Sequence, residues 1–423
     1  MDRKLDIAIA GGGIVGLTAA LSLHAAGFRP TVYEAVSQPA PLGVGVNLLP
    51  HAVRELSELG LLDELLAIGI AIQDLNYLTA SGELVWHEPR GLAAGYNWPQ
   101  IAIHRGQLQM FLLDKVRERL GADAVRMGQE LVGVETVGQR VHARFVDRAS
   151  GRDTAIETDV LIGADGIHSA VRRQFYPEEG APRWNGITLW RSTSPVVAPM
   201  GGKAMIWAGR SAQKFVAYPI GKDPETGLDR LNWICDLKVT DDGAPPPRDW
   251  NRPGDRADFL PRFADWRWAG VDVRAIVDAS GPIYEFPMVD RDPLPRWTFG
   301  RVTLMGDAAH PMYPIGSNGA TQGIIDARVF AWHLAEADTA EEAMRHYEAD
   351  RRDATARIVL MNRQQGPDRV LDLAGERLEG GTGTLTELLP MAEREEIALS
   401  YKKTAGFDPA VLNASRSYAV TAR

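Results

Sequence analysis

The chain has 423 residues, with 46 Lys and Arg against 55 Asp and Glu, a formal net charge of -9. That length allows two or three domains and a large core, and 45% hydrophobic with 24% charged residues excludes a mostly disordered chain. The acidic balance argues against nucleic acid as a partner; a single cysteine, Cys235, excludes an intramolecular disulfide, and the lack of a Cys/His cluster excludes a structural zinc site.

From Ile7 to Phe28 the chain has no Asp, Glu, Lys or Arg. Gly11, Gly12, Gly13, Gly16 and Gly27 are too many for a simple apolar span, so a soluble cytoplasmic protein with no membrane partner is expected. Asp6–Ala10 reads as a buried parallel strand. After a glycine turn, Ile14, Leu17 and Leu21 form a helical stripe, and 29–35 reads as a second strand, completing a βαβ unit. Helices are expected over 52–66 and 105–120. The alternation over 132–146 predicts antiparallel strands, and 159–163 another buried strand. Four β-rich runs between Ile187 and Leu237 predict a second sheet. The proline-rich stretch 243–254 reads as a surface loop. A buried strand is expected at 301–305, then one long helical pattern from about 322 to 363. The tail has a Gly-rich break at 380–383 and a charged helical end.

The first motif is Gly11-x-Gly13-x-x-Gly16, with a strand before it, a helix after it and Glu34 at the end of the next strand. Gly11 permits the tight turn, Gly13 lets the backbone approach a pyrophosphate, and Gly16 allows close helix–strand packing. The helix N-terminus offers N–H groups to phosphates. Glu34 suits ribose hydroxyls and repels a 2′-phosphate, which favours FAD or NAD over NADP. Two further motifs, 163–166 (GADG) and 306–311 (GDAAHP), each place a carboxylate, Asp165 or Asp307, at the carboxyl end of a strand. A helix N-cap is the plainer role for either aspartate.

Taken together with IHRGQLQM (103–110), PMVDRDPLPRW (287–297) and GRVTLMGDAAHPMYPIGSNGATQ (300–322), these motifs make the chain resemble the FAD-dependent aromatic hydroxylases of the p-hydroxybenzoate hydroxylase type. The resemblance covers about residues 5 to 365 and is stronger still toward the members that hydroxylate phenazine carboxylates. It implies a mixed α/β fold: a Rossmann-like FAD-binding domain (1–75, 100–180 and 285–365) interleaved with a β-sheet substrate domain (76–99 and 181–284), followed by a helical C-terminal segment (366–423). It implies FAD held by Gly11, Gly13, Gly16, Glu34, Arg105, Gln109, Asp165 and Asp307, with Arg172 near Asp165. Pro314, Gly316 and Gly319 would line the flavin edge. Relatives often carry Asn where this chain has Thr321, which puts an amide contact to the flavin in doubt.

No second glycine fingerprint exists, so NADH or NADPH would bind transiently as co-substrate. The implied reaction uses O2 and passes through a C4a-hydroperoxyflavin to hydroxylate a small aromatic or N-heteroaromatic ring. A phenazine carboxylate is the best named substrate; a purine, quinolone or benzoate-type ring is the alternative. A non-catalytic FAD-binding redox protein is the reading from another class. On the predicted second sheet, Trp190 and Tyr218 are candidates to stack on a ring, and Arg191 to pair a carboxylate. Each is also an ordinary core or inter-strand residue. No metal is expected, and a monomer or a homodimer fits equally.

Overall fold

The computed structural model describes residues 5–41, 43–241, 252–268, 270–364 and 366–420, apart from the side chains at 401 and 403–405. Its centre is a six-stranded sheet ordered Thr298–Phe299, Val302–Leu304, Val160–Gly163, Ile7–Ala10, Thr31–Glu34, Val125–Met127. All neighbours in it pair in parallel except Thr298–Phe299, which runs antiparallel. The three central strands are the continuous apolar runs of the sequence, and every residue in them is buried. Burial on both faces is what a parallel strand covered by helices requires. The covering helices include Ile14–Ala25, Arg105–Leu120 and Asn318–Glu336.

After Val160–Gly163 the chain leaves this sheet, builds a seven-stranded one, and returns at Val302–Leu304. The large sheet runs Tyr284–Asp290, Arg183–Val196, Asp229–Lys238, Gln213–Lys222, Ala204–Arg210, Asp74–Leu78, Leu84–Pro89. Its outer face carries Trp190, Phe215, Trp233 and Cys235 and packs on Phe259, Phe263 and Ile276. Its inner face carries Tyr77, Trp207, Val216 and Tyr218. A small sheet of Gly45–Leu48, Gln100–His104 and Gly69–Ile72 contributes Ile101 and Ile103 to the core of the parallel sheet and Ile72 and Ala102 to that of the large one.

Two expected helices are each divided. The pattern over 52–66 is Pro50–Glu58 and Leu62–Ile68, because Gly60 takes a left-handed φ of 70° between them. The pattern over 322–363 is Asn318–Glu336 and Ala340–Arg363. Thr339 caps the second of these by accepting the Glu342 N–H, so the apolar period continues across a bend. Arg105–Leu120 forms at the expected bounds. The proline-rich stretch 243–254 lies outside the described residues up to 251.

The C-terminal segment forms Arg369–Gly380, Leu385–Leu388, Met391–Ala405 and Pro409–Ala414. It is tied to the large sheet by the buried ion pair of Lys214 with Asp368, and by Asp372 accepting from Ser211. It is tied to the other side by Arg54, which donates to Ser415 Oγ at 2.7 Å, and by Arg328, which donates to the Tyr418 carbonyl at 3.0 Å. Among the described residues no helix is long and apolar enough to cross a membrane.

Candidate active site

Three adjacent parallel strands end at the same edge of the six-stranded sheet, and each end carries one motif. Ile7–Ala10 leads into Gly11, Val160–Gly163 into Asp165, and Val302–Leu304 into Asp307. Residues far apart in sequence are thereby joined, because the carboxyl ends of neighbouring parallel strands share a crevice. A Cβ at Gly11 would lie 2.3 Å from the Ala164 carbonyl oxygen, and one at Gly16 would lie 2.0 Å from the Gly11 oxygen. A Cβ at Gly13 would meet nothing within 4 Å. Gly11 and Gly16 are therefore needed for packing, whereas Gly13 faces open space. It is also the N-cap of Ile14–Ala25, with no side chain on the free N–H groups of that helix.

Glu34 lies beneath this turn. Its Oε2 accepts the Gly12 N–H at 2.6 Å and its Oε1 accepts the Val36 N–H at 2.7 Å. An ionised carboxylate has about four acceptor positions, so two remain for ribose hydroxyls. Gln109 donates to the Gly12 carbonyl at 2.9 Å and so fixes the turn from the opposite side. Arg105 is one helical turn before Gln109 on the same helix face. Its exposed guanidinium has no hydrogen bond to a described residue, and its charge acts on Asp307 and Arg191.

Asp165 Oδ2 accepts the Ala170 N–H at 2.7 Å, the plain capping role, but its Oδ1 is buried without a partner. Burial raises its carboxyl, against the pull of Ser169 and the Ala170 N–H. Asp307 is exposed to the crevice although protein surrounds it, and this desolvation raises its carboxyl against the pull of His310 and Arg105. Its Oδ1 lies 3.9 Å from the Cβ position of Gly319, in the first turn of Asn318–Glu336. Gly316 and Ser317 before that helix have φ of 72° and 60°, and no side chain caps its N–H groups. The exposed Pro314 precedes this turn. Thr321 accepts the Leu49 N–H at 3.1 Å, so its hydroxyl is committed within the protein.

Arg172 and His310 have structural partners. Arg172 pairs with Glu179 and donates to the carbonyls of Ala308, Ala309 and Asp292. His310 Nε2 lies 2.5 Å from Asp326 Oδ2; Asp326 also accepts from Arg351 at 2.7 Å and the Gly306 N–H at 3.0 Å. Both side chains shape the turn that presents Asp307.

The inner face of the large sheet supplies a second group. Arg191 donates to the Gly45 carbonyl at 3.0 Å, and Tyr218 bonds Arg191 and Asn47. Burial raises the Tyr218 phenol and lowers the Arg191 guanidinium. Between Arg191 and Tyr77 the sheet register gives an apolar strip of Ile234, Val216 and Trp207. Four buried atoms on or beside this face, Gln100 Oε1, Arg191 Nε, Trp207 Nε1 and Asn232 Nδ2, have no hydrogen-bond partner among the described residues. Trp190 does not belong to this group. Strand alternation turns it to the outer face, where its ring stacks on Phe259 at 5.3 Å. The expectation that Trp190 stacks on a ligand is thus corrected: it is a core residue.

A pocket opens beyond this strip, with Gly316 at one side, Tyr77 and Trp86 from the sheet, and Val370, Lys402 and Phe407 from the C-terminal segment. Tyr96 donates to the Phe407 carbonyl at 2.9 Å, which holds that segment in place. The sequence offered no motif for the tail residues. For Asn232 it offered a weak signal, one of two polar residues with Asp236 in the largely apolar run LNWICDL (231–237).

The crevice fits FAD. Gly13 is open, the helix N-terminus is uncapped and the exposed Arg105 guanidinium has no hydrogen bond to a described residue, which is the environment a pyrophosphate needs.

Comparison with known proteins agrees. Residues 4–362 match the family described as FAD binding domain. The chain is 45% identical over 368 residues to the phenazine 1,6-dicarboxylic acid hydroxylase PhzS of Lysobacter antibioticus, covering 86% of this chain and 90% of that protein. It is 31% identical over 366 residues to a 3-amino-4-hydroxybenzoate 2-monooxygenase of Streptomyces cremeus, covering 85% and 86%. A solved variant of Klebsiella pneumoniae HpxO complexed with FAD superposes with a TM-score of 0.76 at 25% identity, covering 96% of this chain and 100% of that one.

Proposed function

The chain belongs to the FAD binding domain family and is an FAD-dependent aromatic hydroxylase, and from that premise we propose that it hydroxylates a planar N-heteroaromatic ring, a phenazine carboxylate, with NAD(P)H and O2. One feature carries the choice of ring: Arg191 and Tyr218 bring a guanidinium and a phenol beside the apolar residues Ile234, Val216 and Trp207 on one face of the sheet. A face that sets fixed polar groups beside apolar area suits a flat ligand bearing ring nitrogens and polar substituents. The 45% identity to a phenazine dicarboxylate hydroxylase supports the same class. The 31% identity to an aminohydroxybenzoate monooxygenase supports, as second reading, the same chemistry on a single ring.

When bound, FAD supplies the redox chemistry, taking reducing equivalents from the nicotinamide and passing one oxygen atom to the ring. This chain supplies position and environment. Gly11, Gly13, Gly16, Glu34, Gln109 and Arg105 hold the cofactor's dinucleotide half, and Asp165 and Asp307 its sugar hydroxyls. Gly316 and Gly319, with Pro314 beside them, present backbone N–H groups where negative charge develops on the cofactor. Arg191 and Tyr218 orient the ring from the sheet, and the C-terminal segment excludes water from the pocket. In this reading 1–75, 100–180 and 285–365 form the cofactor unit, and 76–99 with 181–284 the substrate unit. The single buried Cys235 suits the cytoplasm.

The test is NAD(P)H oxidation by the purified flavoprotein with a panel of rings that includes phenazine carboxylates, under isotope-labelled oxygen. A ring that accelerates oxidation and carries the label in its product establishes the reading. Acceleration that yields only hydrogen peroxide across the panel refutes it.

A further inference from the structure

The C-terminal segment is fastened in two unlike ways. Its first part is held by burial. Val370, Leu371, Ala374, Leu385 and Leu389 are at most 1% exposed and share one core with Trp207, Val216 and Tyr218 of the large sheet. The buried pair of Lys214 with Asp368 adds to that hold. Its last part, residues 406–420, is held mainly by hydrogen bonds. Only Phe407 and Leu412 are buried there, and Val411 is 63% exposed.

Those bonds reach two separate elements of the protein. After the edge strand Leu84–Pro89, Tyr96 donates to the Phe407 carbonyl at 2.9 Å, and the Asn413 amide bonds the Gly95 carbonyl and the Asn97 N–H. From the helix Pro50–Glu58, His51 Nε2 lies 3.1 Å from the Gly406 carbonyl oxygen, and Arg54 donates to Ser415 Oγ at 2.7 Å. Tyr418 is gripped by its backbone: Glu55 accepts its N–H at 3.2 Å, and Arg328 donates to its carbonyl at 3.0 Å. Arg54 and Arg328 both pair with the buried Glu55, so the three form a fixed site for an extended backbone.

A segment with few buried apolar contacts opens ahead of the core it rests on. Gly406 stands where the two parts meet, with φ of 75° and nothing within 4 Å of a Cβ position. Phe407 follows it directly and is a wall of the pocket that Gly316 also lines, whereas the walls Tyr77, Trp86 and Val370 come from strands and a helix packed in the core. Resting on the reading of a ring hydroxylase, we propose that residues 406–420 are a latch that opens about Gly406 and lifts Phe407, so that the ring enters and its product leaves, and that closes on Glu55 and Arg328 while the reaction runs. The closed latch keeps water from the pocket. It lies beyond the family match at 4–362.

The test uses the FAD-loaded full chain. Its amides over 407–418 are expected to exchange with deuterium as one unit, ahead of those of Arg369–Gly380. Equal protection of the two parts overturns the latch. Ring entry and exit are timed by the change in flavin absorbance on rapid mixing, with phenazine-1-carboxylate and 3-amino-4-hydroxybenzoate as probes. A chain ending at Ala414 loses the Ser415 and Tyr418 contacts. Both rates are expected to rise about ten-fold, with Kd changed far less, FAD content unchanged and a larger share of NAD(P)H oxidation ending as hydrogen peroxide. Tyr96→Phe keeps the aromatic side chain and removes one bond to the latch; it is expected to raise both rates about three-fold, and it decides alone if the shortened chain does not fold. A lower melting temperature or lost FAD with unchanged rates overturns the proposal. Labelled-oxygen turnover separates the two readings. If the unmodified enzyme hydroxylates a probe and neither variant alters the rates, only the latch falls. If the rates rise and no ring is hydroxylated, the latch stands and the substrate reading falls. If neither probe binds the unmodified protein, both fall.

Discussion

The side-chain carbonyl of Asn232 accepts the Gly45 N–H at 2.7 Å, joining the large sheet to the small one across 187 residues of sequence. A Cβ at position 45 would lie 2.7 Å from Tyr218 Cε2 and 2.8 Å from Asn232 Cγ, so only glycine lets the two sheets come this close. Gly45→Ala is expected to displace Tyr218 and Asn232 together. Overpacking of this kind costs about 1–3 kcal/mol. The KM for the ring should rise by roughly ten-fold while FAD content stays the same; steady-state kinetics beside the flavin-to-protein absorbance ratio checks this. Loss of FAD with unchanged KM is the contrary result.

The fingerprint glycines separate by function. Gly13→Ala meets no protein atom, so the apoprotein should melt at nearly the same temperature as the unmodified one. Its methyl group stands where the pyrophosphate approaches, and FAD affinity should fall by about ten-fold or more, the scale of one lost charge-assisted hydrogen bond. Gly16→Ala collides with the Gly11 carbonyl 2.0 Å away and should lower the melting temperature with or without FAD. Thermal scans and FAD titration of the two variants distinguish packing from binding.

Trp190 and Tyr218 lie on opposite faces of one sheet. Trp190→Ala empties a core site 4% exposed and is expected to cost about 3–5 kcal/mol of stability. Relative rates on a panel of rings should not change. Tyr218→Phe keeps the packing and removes the hydroxyl that bonds Arg191 and Asn47. Its stability should fall by only about 1 kcal/mol, with a several-fold rise in KM for the ring. Altered ring preference in Trp190→Ala would contradict this division.

Asp326 is buried between His310 and Arg351, whose charges and hydrogen bonds hold its carboxyl down at about 2, against 3.8 in the free residue. A depressed carboxyl contributes stability that is complete above 3.8 and is lost as pH falls toward about 2. Asp326→Asn should therefore be markedly less stable at neutral pH, by about 3–5 kcal/mol for a broken buried pair. The gap from the unmodified protein should narrow as pH falls through that window. Denaturant unfolding of both proteins from pH 7 to pH 2 measures it; a constant gap would show that Asp326 acts by shape alone.

The cofactor crevice was legible in the sequence because its parts are local. A glycine turn between strand and helix, a carboxylate at a strand end and small residues before a helix each obey short-range rules of sterics and hydrogen bonding, and each lies within a few consecutive residues. The helix boundaries missed at 59–61 and 337–339 have a local cause as well: hydrophobic periodicity continues across a bend, while the bend depends on one Gly φ or one threonine cap.

The inner face of the large sheet was not legible in this way. A strand pattern shows that alternate residues point to opposite sides, but not which side meets the crevice, and that choice separated Tyr218 from Trp190. Glu88, Arg90 and Lys402 show no motif, since an edge strand, the loop after it and a tail helix come together only when the C-terminal segment docks. The sequence by itself determined the parallel sheet, the glycine turn and the acids at its strand ends, because those follow from backbone geometry over short spans. Tertiary structure alone decided which face of the large sheet carries Tyr218 and which side chains of the C-terminal segment dock beside it, because burial depends on residues hundreds of positions apart.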